Sequence, residues 1–497
     1  MKKRIDTYSR LGSKRDEKYL VEEKEKFIKN AKYEIPRIIQ VHEAWLIMLV
    51  KTGIFQKNEA VPILNELEKI KKEGLKELID TYDLNFPKIY LQLERYLTDK
   101  LGYMASNVNI GRTVPPPLYR MEVREALVNA IECVLTHLKV LLVKSAEHID
   151  TVMPGYTHMQ HAQPQTYGHY LLGYYDAISR GYQQLIQAFK STNMIDMGGG
   201  AMAGISYNID RYMLADLLGF DGIIEHSNDC MAATDFNIDI LAALSNISLP
   251  LCRVANELDV WSTQEFNYVE ISDHLAHTSS MMPQKKNPCV FEDARAFLGR
   301  IAGAFTDICI RAHNTQYGDV VEIMKLAQST VPVIHDFCKI MNDFTEAIDT
   351  LIIKKENMKK GVEGGFSTCT ELAHLIFNET RMPLRLIHSI IGSSVKEIYE
   401  SCGTYNDINL KLLNKHAKNI TGFEINISDE SIKESLDPDV FIQRQISTGG
   451  TSPKEVRRMI SERETHLTDN DEKVLINFRN RLNHINQLLE NEITLLK

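Results

Sequence analysis

A chain of 497 residues with 44% hydrophobic and 25% charged residues has the composition of an ordinary globular protein and is too long for one compact domain. Its formal net charge of -9 argues against a general nucleic-acid or anionic-membrane binder, because both partners would repel the average surface. The eight cysteines form no CxxC pair and no metal-ligand spacing, which predicts reduced thiols in a cytosolic protein.

The N-terminal segment predicts no export or membrane insertion. It begins MKKR, but no apolar stretch follows, so it does not have the pattern of a secretory signal. The longest uninterrupted apolar runs, such as AWLIMLV from Ala44, are far too short to span a bilayer. We therefore expect a cytoplasmic protein with no membrane partner.

Most of the chain has the periodicity of long helices. Between Val123 and Leu142 apolar residues recur at three- and four-residue steps, which places them on one stripe of a helix. Wide stripes on several long helices need partners, so we predict an all-α bundle that continues across subunits. Comparable patterns occupy Tyr167 to Lys190, Asp235 to Trp261, Glu292 to His313, Val320 to Ile352 and Leu475 to Leu496.

Two helix-breaking segments divide the chain into three predicted domains. TVPPP (Thr113–Pro117) contains consecutive prolines, and GVEGGF (Gly361–Phe366) is rich in glycine. The predicted units are an N-terminal helical domain over 1–113, a central long-helix bundle over 114–363 and a C-terminal helical domain over 364–497. The sequence contains no internal repeat.

Two polar loops are candidates for chemistry. HTSSMMPQKKNP (His277–Pro288) places two adjacent serine hydroxyls shortly before Pro283 and two lysines between Pro283 and Pro288. An ordinary loop with a solvated lysine pair would have the same composition. MPGYTHMQHAQP (Met153–Pro164) follows one predicted helix and precedes another, and its hydrogen-bonding side chains could orient a polar ligand or merely connect the helices.

Two glycine-rich segments are weaker candidates. MGGGAMAG (Met197–Gly204) lacks the Lys-Ser/Thr ending of a phosphate-binding P-loop, so close backbone packing or contacts to a carboxylate fit it better. ISTGGTSP (Ile446–Pro453) ends at a predicted helix start. An N-cap is the favoured role there for Thr451 or Ser452.

Several of these motifs together resemble a known enzyme family. TSSMMPQKKNP resembles the signature loop of the fumarase, aspartase and argininosuccinate lyase superfamily. The resemblance runs from about Met121 to Ile460 and implies a three-domain, nearly all-α subunit. It also implies a homotetramer whose active sites are each built by loops of three subunits. Further motifs follow in the order of the argininosuccinate lyase branch: MPGYTHMQHAQP, NIDRYMLADLLGFDG, ELDVWSTQEFNYVEISD, GGFSTCTELA and STGGTSPKEV.

The resemblance assigns roles to individual residues. It implies release of fumarate by removal of a proton next to a carboxylate and loss of an amine from the adjacent carbon. Ser279 matches the general base, while Lys285 and Asn287 match groups that stabilise the carbanion. His158 matches the histidine on the leaving side, and Glu292 the acid that orients it. The remaining implied substrate contacts are Thr157, Gln160, Arg112, Thr113, Ser280 and Tyr317.

The chain departs from the branch at one recognition loop. In NIGRTVPP (Asn109–Pro116), Arg112 and Thr113 match the family pattern, but an arginine, an asparagine and an aspartate are replaced by Val114, Pro115 and Pro116. Proline cannot replace a side-chain amide donor. We therefore predict a fumarate-releasing carbon–nitrogen lyase, acting on argininosuccinate or a related N-substituted aspartate, whose amine specificity the sequence leaves open.

Three other interpretations remain open. The protein could be a genuine argininosuccinate lyase with a rebuilt carboxylate site. It could be a catalytically silent structural or binding protein on the same scaffold, or it could add an amine to fumarate in a specialised pathway. In each enzymatic interpretation the partner is a small dicarboxylate. No nucleic acid, metal or organic cofactor is implied, because Lys285, Asn287 and backbone dipoles can stabilise the carbanion.

Overall fold

The computed structural model describes residues 15–113, 117–318 and 321–497, without the side chains at 323 and 324. The departures at Val114, Pro115 and Pro116 lie outside the described residues. Within them the chain is almost entirely helical, as predicted, and its strands are two-residue pairs. The N-terminal helices are α1 (Glu17–Lys51), α2 (Lys57–Glu73), α3 (Lys76–Asp80) and α4 (Ile89–Leu101).

Five long helices form the central bundle. The predicted stripe of Val123 to Leu142 lies on the first of them, where every residue of that stripe is at most 3% exposed. Each helix packs against two or more of the others, because each carries a wide apolar face. The helices of this region are α5 (Leu118–Glu147), α6 (Tyr167–Thr192), α7 (Arg211–Leu217), α8 (Asp229–Ala232), α9 (Asp235–Trp261), α10 (Cys289–Ala312) and α11 (Val321–Asp349), of which α7 and α8 are short.

Two bundle helices correct an expectation from the sequence. Both α5 and α9 are long enough and apolar enough, by length and composition, to cross a membrane. Counting uninterrupted apolar residues missed α5 because polar residues such as His137 interrupt its sequence. His137 is buried and bonded to Thr345 and Tyr174. In the bundle, 61% of the apolar window of α5 and 56% of that of α9 are buried, which is the arrangement of core helices.

The C-terminal region divides between two environments. Residues from Leu372 to Leu436 share a separate apolar core, whereas the last two helices pack elsewhere. Val456 and Leu475 join the core of the bundle, and Ile485 and Leu489 join that of the N-terminal helices. The helices are α12 (Lys355–Glu363), α13 (Cys369–Thr380), α14 (Leu384–Glu400), α15 (Leu410–Thr421), α16 (Asp429–Leu436), α17 (Pro438–Arg444), α18 (Pro453–His466) and α19 (Glu472–Leu496).

An ion pair ties the end of the chain to the central bundle. A bidentate pair joins Arg463 of α18 to Asp176 of α6, with both N–O distances at 2.7 Å. The chain therefore returns to the bundle after its separate C-terminal core. The boundaries at 113/114 and 363/364 remain predictions.

Short strand pairs brace the loops at the ends of the bundle. Two of these pairs form the hairpins that carry the predicted site residues, and both are antiparallel. The strands are β1 (Val152–Met153), β2 (Tyr156–Thr157), β3 (Gln160–His161), β4 (Gln165–Thr166), β5 (Met194–Ile195), β6 (Gly222–Ile223), β7 (Val269–Glu270), β8 (His277–Thr278), β9 (Lys286–Asn287) and β10 (Ile352–Ile353). They pair as β1 with β4, β2 with β3, β5 with β6, β7 with β10 and β8 with β9.

Candidate active site

Ser279 begins a loop held between two paired strands. His277 pairs with Asn287 and Thr278 with Lys286, so residues 279–285 form the connection of a β-hairpin. The Ser279 hydroxyl oxygen accepts hydrogen bonds from the backbone N–H groups of Met281, at 3.2 Å, and Met282, at 3.0 Å. Two donors aimed at one hydroxyl oxygen favour its negatively charged form.

The two adjacent lysines of this hairpin have different surroundings. Lys286 donates to Glu270 at 3.0 Å and lies 2.7 Å from Asp273. The hydrogen bond to Asp273 raises the pKa of Lys286, and Glu270 adds to the effect. Lys285 is exposed, and none of the carboxylates in the described ranges lies within ion-pair distance of it. Lys285 is therefore the cation of the pair that can meet an anionic ligand.

The rest of the hairpin loop is open to solvent. The Met281 side chain is 89% exposed and Met282 is 43% exposed. Ser280 is exposed, and so is Glu292 in the first turn of α10, where a carboxylate complements the helix dipole. Within the described ranges, the side chains of Ser280, Met281 and Met282 are left uncovered by the rest of the chain.

His158 lies at the tip of the second hairpin. Thr157 pairs with Gln160 across this turn, and the side chains of Thr157, His158 and Gln160 are all exposed. His158 and Met159 have φ values of 54° and 61°, an uncommon conformation for residues other than glycine. Both turn residues in the left-handed region give the twist that a two-residue hairpin connection requires. The base of the hairpin is tied down by a 3.2 Å hydrogen bond between the hydroxyls of Tyr156 and Tyr268.

The two loops predicted at 153–164 and 446–453 lie against each other. The backbone N–H of Thr166 donates to the Thr451 hydroxyl at 2.9 Å, and a ring nitrogen of His169 lies 3.0 Å from the Gly449 carbonyl. Ser452 caps α18, which confirms the N-cap role, whereas Thr451 joins the loops. A cleft of about 430 Å³ separates them, lined by residues that include Thr157 and Gln163.

A third group of segments surrounds the glycine-rich loop. A Cβ on Gly111 would meet Ile205 and Tyr207 at 3.3 Å, so the 109–113 loop lies against residues that follow this glycine run. A Cβ on Gly199 would lie 2.8 Å from the Cβ atom of Cys230 on α8. These contacts support close backbone packing as the role of MGGGAMAG.

Three of the predicted substrate contacts belong to this third group. The Arg112 guanidinium contacts His42 and Asn109 and lies over the Trp45 ring at 5.8 Å. Thr113, the next residue, is half-buried. The Tyr317 side chain is 64% exposed, and its hydroxyl donates to Asp229.

The predicted site residues thus occupy three places on one chain. Among the described residues, no hydrogen bond or ion pair joins the Ser279 hairpin to the His158 hairpin, or either of them to Tyr317. Glu292 and His158, predicted to act together, are likewise not joined by a hydrogen bond or ion pair in the described part of the chain. Whether each residue acts in catalysis or binding remains a prediction.

Sequence reasoning missed two acids of the third group. Asp229 is the partner of Tyr317, and Asp196 lies 3.5 Å from Arg120 with one carboxylate oxygen buried and without a hydrogen-bond partner. Burial raises the pKa of Asp196 to about 6. The only signal in the sequence was the position of Asp196 directly before the glycine run.

Comparison with known proteins identifies the family. A family described as lyase matches residues 17–303, more than half of the chain. The argininosuccinate lyase of Methanocaldococcus jannaschii is 33% identical over 453 residues, which cover 90% of this chain and 91% of that enzyme. The argininosuccinate lyase of Archaeoglobus fulgidus is 34% identical over 438 residues, 87% of each chain.

Solved structures agree with the sequence relatives. An EDDS lyase in complex with formate superposes with a TM-score of 0.84 at 28% identity, over 98% of this chain and 96% of that one. An EDDS lyase variant with bound fumarate gives a TM-score of 0.83 at 26% identity, over 99% and 98%. The chain therefore belongs to the lyase family and, within it, to the argininosuccinate lyase branch of carbon–nitrogen lyases.

Proposed function

We propose that the protein eliminates fumarate from an N-substituted aspartate, with Ser279 as the general base. The observation that carries the assignment is the pair of backbone N–H groups that donate to the Ser279 hydroxyl oxygen. A serine hydroxyl is a poor base at neutral pH, and donors to its oxygen stabilise the alkoxide that must form. Lys285, six residues further along the same loop, adds a positive charge to the loop.

The proposed reaction assigns one step to each of these groups. Ser279 removes a proton from the carbon next to the distal carboxylate of the aspartate unit. Charge accumulates on that carboxylate, where Lys285 and Asn287 stabilise it. The electron pair forms the carbon–carbon double bond of fumarate as the carbon–nitrogen bond breaks. His158, oriented by Glu292, supplies the proton for the departing amine.

The complete site requires more than one copy of the chain. No hydrogen bond or ion pair joins the Ser279 and His158 hairpins directly within the described chain, and the family resemblance implies a homotetramer in which each active site combines loops of three subunits. Exposed apolar side chains on the bundle helices, such as Val143 on α5 and Leu249 on α9, supply surface for that assembly. Thr157, Gln160, Ser280 and Tyr317 join the site as substrate contacts. The cytoplasm is the compartment that suits eight unpaired thiols.

Two comparisons support fumarate as the product. The relatives that match over about nine-tenths of the chain are argininosuccinate lyases, and a structural relative has been solved with bound fumarate. A purely structural protein would place no demand on Ser279, Lys285 or His158, so their presence in open, exposed loops favours an enzyme. The same microscopic steps run backwards would add an amine to fumarate.

The test is the appearance of fumarate, followed by its ultraviolet absorbance, when the purified protein is given argininosuccinate and then other N-substituted aspartates. Release from argininosuccinate would identify that substrate. Release from another member of the panel alone would assign a different amine. A folded, oligomeric protein that releases no fumarate from any of them would contradict the proposal and favour the silent scaffold.

A further inference from the structure

The two hairpins of the candidate site are both fastened to one short segment, residues 268–270. The hydroxyl of Tyr268 lies 3.2 Å from that of Tyr156, at the base of the β2–β3 hairpin. Two residues further along, Glu270 accepts a hydrogen bond at 3.0 Å from Lys286, which lies on β9 of the other hairpin. Three consecutive residues therefore connect two hairpins that make no direct hydrogen bond or ion pair with each other in the described chain.

This segment is itself anchored to the bundle. The backbone N–H of Tyr268 donates to the carbonyl of Trp261 at the end of α9, and its carbonyl accepts from the N–H of Lys354, both at 2.9 Å. The next two residues form β7, which pairs with β10. The Tyr268 side chain is only 6% exposed, and a Cβ on Gly361 of α12 would collide with its hydroxyl. Close packing on these sides holds the hydroxyl in one place.

The position of the His158 ring depends on the hairpin that carries it. The ring is exposed, and it has no hydrogen-bond partner among the residues that the structure describes. His158 follows Tyr156 by two residues, and Tyr156 pairs with His161 on the opposite strand. The rings of Tyr156 and His161 also contact edge to face, with their centroids 5.3 Å apart. A displacement of Tyr156 would therefore move the hairpin and the histidine at its tip.

The two attachments of the segment differ in strength. Burial raises the pKa of Tyr156, and the hydrogen bond with Tyr268 adds to the effect, so this phenol stays uncharged. Removing either hydroxyl would leave the other without its partner in a largely buried place, which is costly. By contrast, Lys286 and Glu270 are 29% and 38% exposed, so solvent screens their attraction. The tyrosine contact is therefore the attachment whose loss should displace a hairpin more.

We propose that Tyr268 is a positioning residue for the elimination, which acts through Tyr156 to place His158 beside the departing amine. This inference rests on the proposed function, because that function assigns the protonation of the amine to His158. Once Ser279 has removed the substrate proton, the carbanion has two fates. In one, its electron pair forms the carbon–carbon double bond, the carbon–nitrogen pair leaves with the nitrogen, and His158 protonates that nitrogen. In the other, the carbanion takes a proton back from Ser279 and the substrate is restored. A displaced His158 slows only the first fate.

The test measures the partition between these two fates in D₂O, with the substrate identified in the panel. Substrate restored from the carbanion carries deuterium, which NMR spectroscopy detects, and fumarate absorbance reports on elimination. For Tyr268→Phe we expect kcat to fall about 10- to 100-fold, the scale of a positioning error of up to about 1 Å, while KM changes less than about twofold. The ratio of deuterium incorporation to fumarate release should rise at least about tenfold. Tyr156→Phe, which removes the other hydroxyl, should raise the ratio equally.

Two further variants serve as controls. Tyr174→Phe removes the hydroxyl of a side chain that is 5% exposed and bonded to His137 at 2.8 Å within the bundle, and it should leave the ratio unchanged. Glu270→Gln weakens the attachment of the Ser279 hairpin, so it should lower deuterium incorporation and fumarate release in proportion. The ratio does not depend on how much of a variant is folded, because both rates come from the same active molecules.

An unchanged ratio in Tyr268→Phe would overturn the inference, and so would an equal rise in Tyr174→Phe. Absence of detectable deuterium incorporation in Tyr268→Phe would count against it in the same way. Each of these results would leave elimination by Ser279 intact. Failure of the wild type to release fumarate from any N-substituted aspartate would instead refute the proposed function, on which the inference rests.

Discussion

The adjacent lysines Lys285 and Lys286 give a sharp test of the site, because the structure gives them opposite surroundings. Lys285→Met removes an unpaired cation from the Ser279 loop. Losing one preplaced group that stabilises transition-state charge lowers kcat by about 10² to 10³, equivalent to ~2.7–4 kcal/mol. Its effect on the free energy of unfolding should be small, since no ion pair within the described chain is lost.

Lys286→Met should instead lower the free energy of unfolding slightly and change kcat little. The Lys286 side chain is 29% exposed, and its partners Glu270 and Asp273 are 38% and 97% exposed, so solvent screens both ion pairs. Their loss should reduce the free energy of unfolding by only about 0.5–1 kcal/mol. Because the hairpin register is also held by its strand pairing, kcat should fall less than about tenfold.

The assays are fumarate release at saturating substrate and urea denaturation of each variant. Both variants must first elute at the same oligomeric size as the wild type. Equal loss of activity in Lys286→Met and Lys285→Met, or lower stability of Lys285→Met than of Lys286→Met, would show that the two lysines do not divide catalysis and anchoring in this way.

Three further predictions concern stability and assembly. The pKa of Asp196 rises on folding from 3.8 to about 6, so the folded state binds this proton more tightly than the unfolded state does. The free energy of unfolding should therefore fall by up to about 3 kcal/mol as pH rises from about 4 to 6. Asp196→Asn should flatten this part of the denaturation profile, and an unchanged slope would contradict the assignment. A Cβ on Gly181 would lie 2.5 Å from a side-chain atom of α9, so Gly181→Ala should lower the free energy of unfolding by about 1–3 kcal/mol. As a control on the same helix, a Cβ on Gly173 would meet no atom within 4 Å, so Gly173→Ala should not destabilise the protein. Equal effects in thermal or urea unfolding would rule out close helix packing as the cause. Inactive Ser279→Ala and His158→Ala proteins, unfolded and refolded together, should regain activity that neither has alone, and a mixture as inactive as its parents would argue against shared sites.

The helical scaffold was predictable because its signal is local. The pattern of Asp235 to Trp261 predicted the bounds of α9, since apolar spacing and the following break are both contained in the sequence. The Ser279 loop was also predictable as a loop, because Pro283 and Pro288 follow the serine closely and interrupt any helix. The sequence analysis did not identify α5 as long and apolar enough to cross a membrane, because polar residues interrupt its apolar runs. These residues, such as His137, are buried and find hydrogen-bond partners only in the folded bundle.

Contacts between distant segments were not predictable from the sequence. Nothing local indicates that Lys286 is paired with Glu270 while Lys285 is not, or that Tyr317 reaches Asp229, 88 residues away. These contacts depend on how hairpins and helix ends meet after the bundle forms. The sequence therefore predicted residue types and loops, whereas the folded structure distinguishes an ion-paired lysine such as Lys286 from an exposed one such as Lys285.

The most direct test of the central claim is the Ser279→Ala variant. The wild type and the variant would be compared for fumarate release from the substrate identified in the panel, and for binding of fumarate by calorimetry. We predict that kcat falls by at least about 10³ while fumarate affinity changes little, because the serine acts on the proton rather than in holding the dicarboxylate. A variant that retains full elimination activity would contradict the account.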